Sequence, residues 1–175
     1  LPFAQEAVND YSTSIAQELT KKKQFKRAFQ FWQQSNSRHR HYFINRWAER
    51  FQALGDEVSA QIIWQNMIHI FPNSPFPLYQ LTKISLQNGD QAQASKYQRN
   101  LQRLYHHIAP EDNALFSAFA NRLLTDGDHE RAITLFTLLA ENNTENSQLW
   151  QNLADAYKQI GQVDQAQAIN QQHGL

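Results

Sequence analysis

Four glycines, Gly55, Gly89, Gly127 and Gly161, follow one another at intervals of 34, 38 and 34 residues. Few folds accommodate such a rhythm. A chain that returns glycine at fixed phase repeats one short supersecondary unit. The clearest copy is SQLWQNLADAYKQIGQVDQAQAINQQ, residues 147–172. Trp150, Leu153, Ala154 and Tyr157 fall at i, i+3, i+4 and i+7, one face of a helix. Gly161 stops that helix, and Ala166 and Ile169 begin the apolar face of a second.

Laying the same frame upstream recovers the same residue types. Phe116, Phe119, Ala120 and Leu123 precede Gly127, with Ala132 and Phe136 after it. Leu78 and Leu81 precede Gly89, and Ala94 follows, with Thr82 where the small residue of the first helix belongs. Ile44, Trp47, Ala48 and Phe51 precede Gly55, followed by Ala60, Trp64 and Pro72. The first copy is degenerate: Ile15, Ala16 and Leu19 form a stripe and Ala28 and Trp32 fit, but Lys23 stands in the glycine position. The recurring alanines predict a close crossing of two helices, where a larger side chain would hold them apart. Glycine at the turn predicts a left-handed helix end. Asp56, Asp90 and Asp128 stand directly after their glycines, where a short acceptor can cap the next helix. The four extra residues between Gly89 and Gly127 fall in 105–112, as a longer second helix or a longer loop.

A Trp-x2-Leu-Ala-x2-Tyr-x3-Gly-x4-Ala run of this kind resembles the tetratricopeptide repeat family. The resemblance implies an all-α fold, a right-handed α-solenoid of about five helical hairpins. Its repeats would span 9–40, 41–74, 75–112, 113–146 and 147–175, with 1–8 as a lead-in or linker whose Leu1, Phe3 and Val8 could cover the first hairpin. Phe71 to Pro77 reads as a rigid connector, because each proline fixes its own φ, and Ser74 with Pro75 reads as a helix start.

Composition narrows the function more than it defines it. No stretch of 18 apolar residues occurs, which argues against a transmembrane helix. Cysteine is absent, so no disulfide forms and the redox compartment is unreadable. The compartment, cytoplasmic or periplasmic, stays open. The chain opens Leu1-Pro2-Phe3 without an initiator methionine, and a domain of a larger protein is the expectation. Lysines and arginines balance aspartates and glutamates overall, yet residues 1–55 hold nine cations against four acids, net +5. Such an end can steer an approaching partner or simply be solvated. A nucleic-acid role for Lys21 to Arg27, Arg38 and Arg40 sits poorly with the acidic remainder, since phosphate binding needs a broad positive face.

Catalysis finds no support in motifs. There is no Gly-x-Ser-x-Gly elbow, phosphate-binding glycine loop or His-Glu-x-x-His pair. The pairs His39/His41 and His106/His107 do not put two imidazoles on one helical face, so neither a metal nor another cofactor is expected. The four tryptophans fall on core positions of the repeat.

In the family the first helix of each hairpin lines a concave groove. The resemblance therefore implies a partner-binding face of Tyr42, Asn45, Arg46 and Glu49 from the second repeat and Phe76, Tyr79, Gln80 and Lys83 from the third. Ser117 and Asn121 from the fourth and Gln148, Asn152 and Asp155 from the fifth complete it. Aromatic anchors among amides suit an extended peptide or a partner helix. Asn121 and Asn152 fit the asparagines of the clamp with which chaperone-binding members grip a terminal carboxylate. Ser117 stands where that clamp needs lysine, and no further repeat supplies its remaining cations, so that clamp is rejected. The expectation is a non-catalytic interaction scaffold for a protein or peptide. The alternative is an accessory C-terminal domain of a bacterial enzyme such as a hydrolase.

Overall fold

A computed structural model describes residues 2–35 and 40–175, with side chains from Tyr11 onward. Ten α-helices follow in order among these residues: α1 (Pro2–Lys21), α2 (Phe25–Gln34), α3 (Arg40–Ala53), α4 (Glu57–Ile70), α5 (Pro75–Gln87), α6 (Gln91–Tyr105), α7 (Asn113–Thr125), α8 (His129–Asn142), α9 (Ser147–Gln159) and α10 (Val163–His173). A 3-10 turn at Pro110–Asp112 precedes α7. The extra residues after Gly89 are mostly loop: α6 is 15 residues against 14 in α4 and α8. The stretch expected as a lead-in is helical from Pro2, which serves as an N-terminal helix residue whose missing N–H costs nothing. The expected packing of Leu1, Phe3 and Val8 lies outside the described residues, as does 36–39 of the first connector.

The chain divides into two compact units, residues 1–102 and 103–175. In the first, α1 pairs with α2 and α3 with α4, while α1 stacks on α3, α2 on α4, and α4 meets α5. In the second, α7 pairs with α8, α8 with α9 and α9 with α10. The crossing residues behave as their size requires. Ala16, Ala28, Ala48, Ala60, Ala120, Ala132, Ala154 and Ala166 are 0% exposed and Ala94 1%. Thr82 is tolerated because its Oγ1 donates back to the Leu78 carbonyl at 2.8 Å, leaving no unmatched hydroxyl. Around the crossings sit Trp32, Trp64, Phe116, Phe119 and Phe136, all fully buried. Truncating one of these to alanine typically costs about 3–5 kcal/mol.

Each of the five turns closes the same way. In the second, Gly55 N–H donates to the Gln52 carbonyl and Asp56 N–H to the Phe51 carbonyl, both at 2.9 Å. This doubly bonded helix end needs a left-handed residue. Gly55, Gly89, Gly127 and Gly161 supply φ of +78°, +76°, +81° and +79°. In the first turn Lys23 takes that conformation at φ +59°, with bonds from Lys23 N–H to the Thr20 carbonyl and from Gln24 N–H to the Leu19 carbonyl. Its side chain reaches the second turn: Nζ donates to Asp56 Oδ2 and lies 5.7 Å from the Phe51 ring centre.

The aspartates after the glycines divide between two tasks. Asp56 Oδ1 accepts from Ser59 N–H at 3.1 Å and Asp90 Oδ1 from Gln93 N–H at 3.0 Å, capping α4 and α6. Asp128 instead accepts from Arg131 Nη1 at 2.8 Å. The Lys23 ammonium, then the Ser59 hydroxyl and amide, hold the Asp56 carboxyl down at about 2.

Lys23→Gly and Lys23→Ala both remove the ammonium, so their difference isolates the backbone. The glycine variant should be the more stable by about 1 kcal/mol, read from denaturant midpoints. Equal midpoints would show that the turn carries no left-handed strain.

Candidate functional site

Two of the exposed residues of the expected groove, Tyr42 and Arg46, lie on α3. Tyr42 is 54% exposed, and Arg46 Nη1 donates to its hydroxyl at 3.1 Å while the guanidinium lies 5.6 Å from the ring centre. Asn45 is already occupied. Its Oδ1 accepts from the buried Trp64 Nε1 at 3.1 Å and its Nδ2 donates to Glu49 Oε1 at 3.1 Å. Asn45 therefore serves the core, satisfying an indole N–H that would otherwise be buried without a partner. Beside this row opens a cleft of about 500 Å³ lined by Gln17 of α1 and by Phe43, Arg46, Trp47, Glu49 and Arg50 of α3. Trp47, expected in the core, is half-buried, and the Arg50 guanidinium sits 5.4 Å from its ring centre.

The third-repeat candidates differ in access. Tyr79 and Gln80 are 5% and 1% exposed, so the structure withdraws them from the surface where the resemblance placed them. The reason is the make-up of α5. Pro75, Pro77, Leu78, Leu81 and Ile84 spread around the helix and draw several of its faces into the interior. Gln80 Nε2 meets no hydrogen-bond partner there. Lys83 and Phe76 are half-buried, the first with its Nζ 5.2 Å from the Tyr79 ring centre.

The remaining candidates belong to the unit of residues 103–175, where they bond chiefly to their own helices. Asn121 is exposed and its Nδ2 donates to the Ser117 carbonyl at 3.1 Å. Gln148 Nε2 donates to Asn152 Oδ1 at 3.0 Å. Asp155 Oδ1 accepts from Gln151 Nε2 at 3.0 Å and Lys158 Nζ at 3.4 Å. Such spacings stabilise exposed helix faces.

Several basic residues of the N-terminal half have structural duties. The Arg40 guanidinium accounts for the end of α2: Nη1 donates to the carbonyls of Ser35 at 2.7 Å and Trp32 at 3.3 Å. A cation there also meets the negative end of the helix. Together with Lys23 on Asp56, this takes two cations out of the expected basic surface; Arg38 and His39 lie outside the described residues. His41 Nε2 bonds Ser74 Oγ at 2.6 Å between the rings of Phe71 and Phe76. Ser74 stands at the expected start of α5 but gives its hydroxyl to His41 and makes no side-chain cap bond. At 2% exposure Ser74 is inaccessible to a substrate, so this pair works as packing. Burial pushes His41 down to about 4. Among the described residues no three potential metal ligands gather, and no helix is long and apolar enough to cross a membrane.

Phe43, Trp47 and Arg50 were absent from the expected face. Their spacing held a signal, since Phe43/Trp47 and Arg46/Arg50 are both i, i+4 pairs on one helix. Reading Trp47 as core concealed it.

Residues 123–174 match the family model described as Tetratricopeptide repeat. No curated protein matches the chain. Among solved structures, the chain is similar to a kinesin light chain-like protein of nearly identical TPR-like repeats from Podosopora anserina, at 16% identity and a TM-score of 0.46, covering 94% of this chain and 92% of that one. It is similar also to MamA protein, at 12% identity and a TM-score of 0.41, covering 95% and 90%.

Two outcomes test these placements. His41 stays neutral in the fold at pH values where the unfolded chain is protonated. The His41 contribution to stability should therefore fall as pH drops from about 6.5 to about 4, by up to about 3 kcal/mol, and itself change no further below that. A His41→Gln variant titrated by denaturant unfolding should lack that slope; an unchanged slope would place its origin elsewhere. Gln80→Met should be neutral or stabilising by up to about 1 kcal/mol, because it replaces an amide whose buried nitrogen has no partner with an apolar chain of similar shape. A clear loss of thermal stability would mean that the amide nitrogen is satisfied.

Proposed function

From tetratricopeptide repeats over residues 123–174, we propose that the chain is a non-catalytic interaction module, one domain of a larger protein, that captures a peptide or partner domain on the first helices of its hairpins. Repeats of this family typically mediate protein–protein interaction. The observation that carries the reading is the outer face of α3, where Tyr42 and Arg46 stand exposed beside the half-buried rings of Phe43 and Trp47. Tyrosine, tryptophan and arginine are the side chains that most often dominate binding energy when a partner excludes water from them. Most other polar groups of the expected face are spoken for by the fold, as Asn45 is by Trp64. Asn121 and Gln148 remain exposed as secondary contacts.

The experiment is selection from a displayed random-peptide library against the intact chain, followed by titration of the winners on variants. Tyr42→Ala with Arg46→Ala should weaken the selected peptides at least about tenfold, and Asn121→Ala less, while circular dichroism stays unchanged. Peptides that bind the double variant as tightly as the parent would remove α3 from the binding face.

A further inference from the structure

We infer that Asn88 and Gly89, at the turn between α5 and α6, form a self-modifying site. Asn88 loses its side-chain nitrogen as ammonia, and in the isoaspartyl product the turn can no longer close. The site is separate from the binding face on α3 and stands whatever that face captures.

Leu54, Asn88, Asp126 and Ile160 precede the four turn glycines, and of these only Asn88 carries an amide. No other asparagine of the chain is followed by glycine. Glycine matters because, without a side chain, it leaves its own amide nitrogen open to approach. Both residues are exposed, and a carbon added to Gly89 would meet nothing within 4 Å. Asp126 is the other side chain able to close a ring on a following glycine, but Arg122 Nε holds it at 2.9 Å. Among the described residues no hydrogen bond restrains the Asn88 side chain.

The chemistry balances with water alone. The Gly89 nitrogen gives up its proton and bonds to Asn88 Cγ. The Cγ–Nδ2 bond breaks, and that nitrogen departs with the proton as ammonia. Water then opens the cyclic imide. Cleaving the newly made bond leaves aspartate at 88. Cleaving the original peptide bond leaves isoaspartate, whose chain runs on through Cβ and Cγ and is longer by one carbon.

The folded turn restrains this reaction and also decides its consequence. Asn88 holds φ −82° and ψ 0°, Gly89 N–H donates to the Leu86 carbonyl at 3.1 Å, and Asp90 N–H donates to the Ser85 carbonyl at 2.8 Å. Closing the imide requires the Gly89 nitrogen to swing toward the side chain, turning ψ well away from 0°. Those two bonds must break first. Exposed helix ends open far more often than the whole fold does, and each opening admits the reaction. With the extra carbon in place, the two amides no longer meet their carbonyls in the register that ends the helix.

The test ages the intact chain in warm, mildly alkaline buffer and maps it with trypsin. Residues 84–96 form one tryptic peptide in which Asn88 is the only asparagine. That peptide should appear in two new isomeric forms with NH2 replaced by OH. The exposed Asn121, Asn142 and Asn146 should convert at least about tenfold more slowly. Urea below the unfolding midpoint should speed conversion of Asn88 at least about threefold. In the isolated isoaspartyl chain, hydrogen exchange should show the Asp90 amide at least about tenfold less protected than in the fresh chain. An Asn88→Asp variant, which has the charge without the extra carbon, should stay close to the fresh chain. An unchanged 84–96 peptide, equal conversion of the other asparagines, indifference to urea, or full protection of the Asp90 amide after conversion would each overturn the inference.

Discussion

The closeness of paired helices at their alanine crossings sets the terms for everything else in this chain. A methyl group at both sides of a crossing lets two backbones approach until nothing larger fits between them. Eight of the nine crossing alanines are wholly enclosed. The remaining volume beside each crossing is then filled by one or two large rings, such as Trp32, Trp64 and Phe136. The turn must also reverse the chain within a very short span, and a left-handed residue with two carbonyl-directed amides does so. Small crossings and left-handed turns thus require each other, and together they leave the outer faces of the helices free to vary.

That division explains what could be read from the residues alone. Positions dictated by backbone geometry were legible: the alanines, the four glycines and the aspartate caps of α4 and α6. Positions dictated by contacts far along the chain were not. Tyr79 and Gln80 were expected to face a groove, yet the apolar surroundings of α5 enclose them. Asn45 looked like a recognition amide and proved to be the acceptor for Trp64, 19 residues away. Trp47 looked like core because its position usually is, yet it is half-buried at a cleft to which, among the described residues, α1 contributes Gln17. Periodicity reports which face of a helix turns inward; it cannot report whether the neighbouring element is large enough to close over it.

The basic character of the N-terminal half shows the same distinction. Composition counts charges without saying what each is doing. Lys23 is tied to Asp56 and Arg40 to the carbonyls ending α2. Arg46 and Arg50 are stacked on rings beside an open cleft. A cation committed to a helix end is lost to any partner, whereas one parked on an aromatic face keeps its hydrogen-bonding edge available.

The stacking of Trp150 on His173, with ring centres 3.7 Å apart and planes 13° from parallel, has a practical consequence. The terminal helix α10 buries little beyond Ala166, and elements with few enclosed contacts open before the rest of a domain. The imidazole moves away when that helix peels off, while Trp32 and Trp64 stay enclosed. The chain thus carries an intrinsic optical reporter: the indole emission of Trp150 registers fraying at one end separately from collapse of the whole.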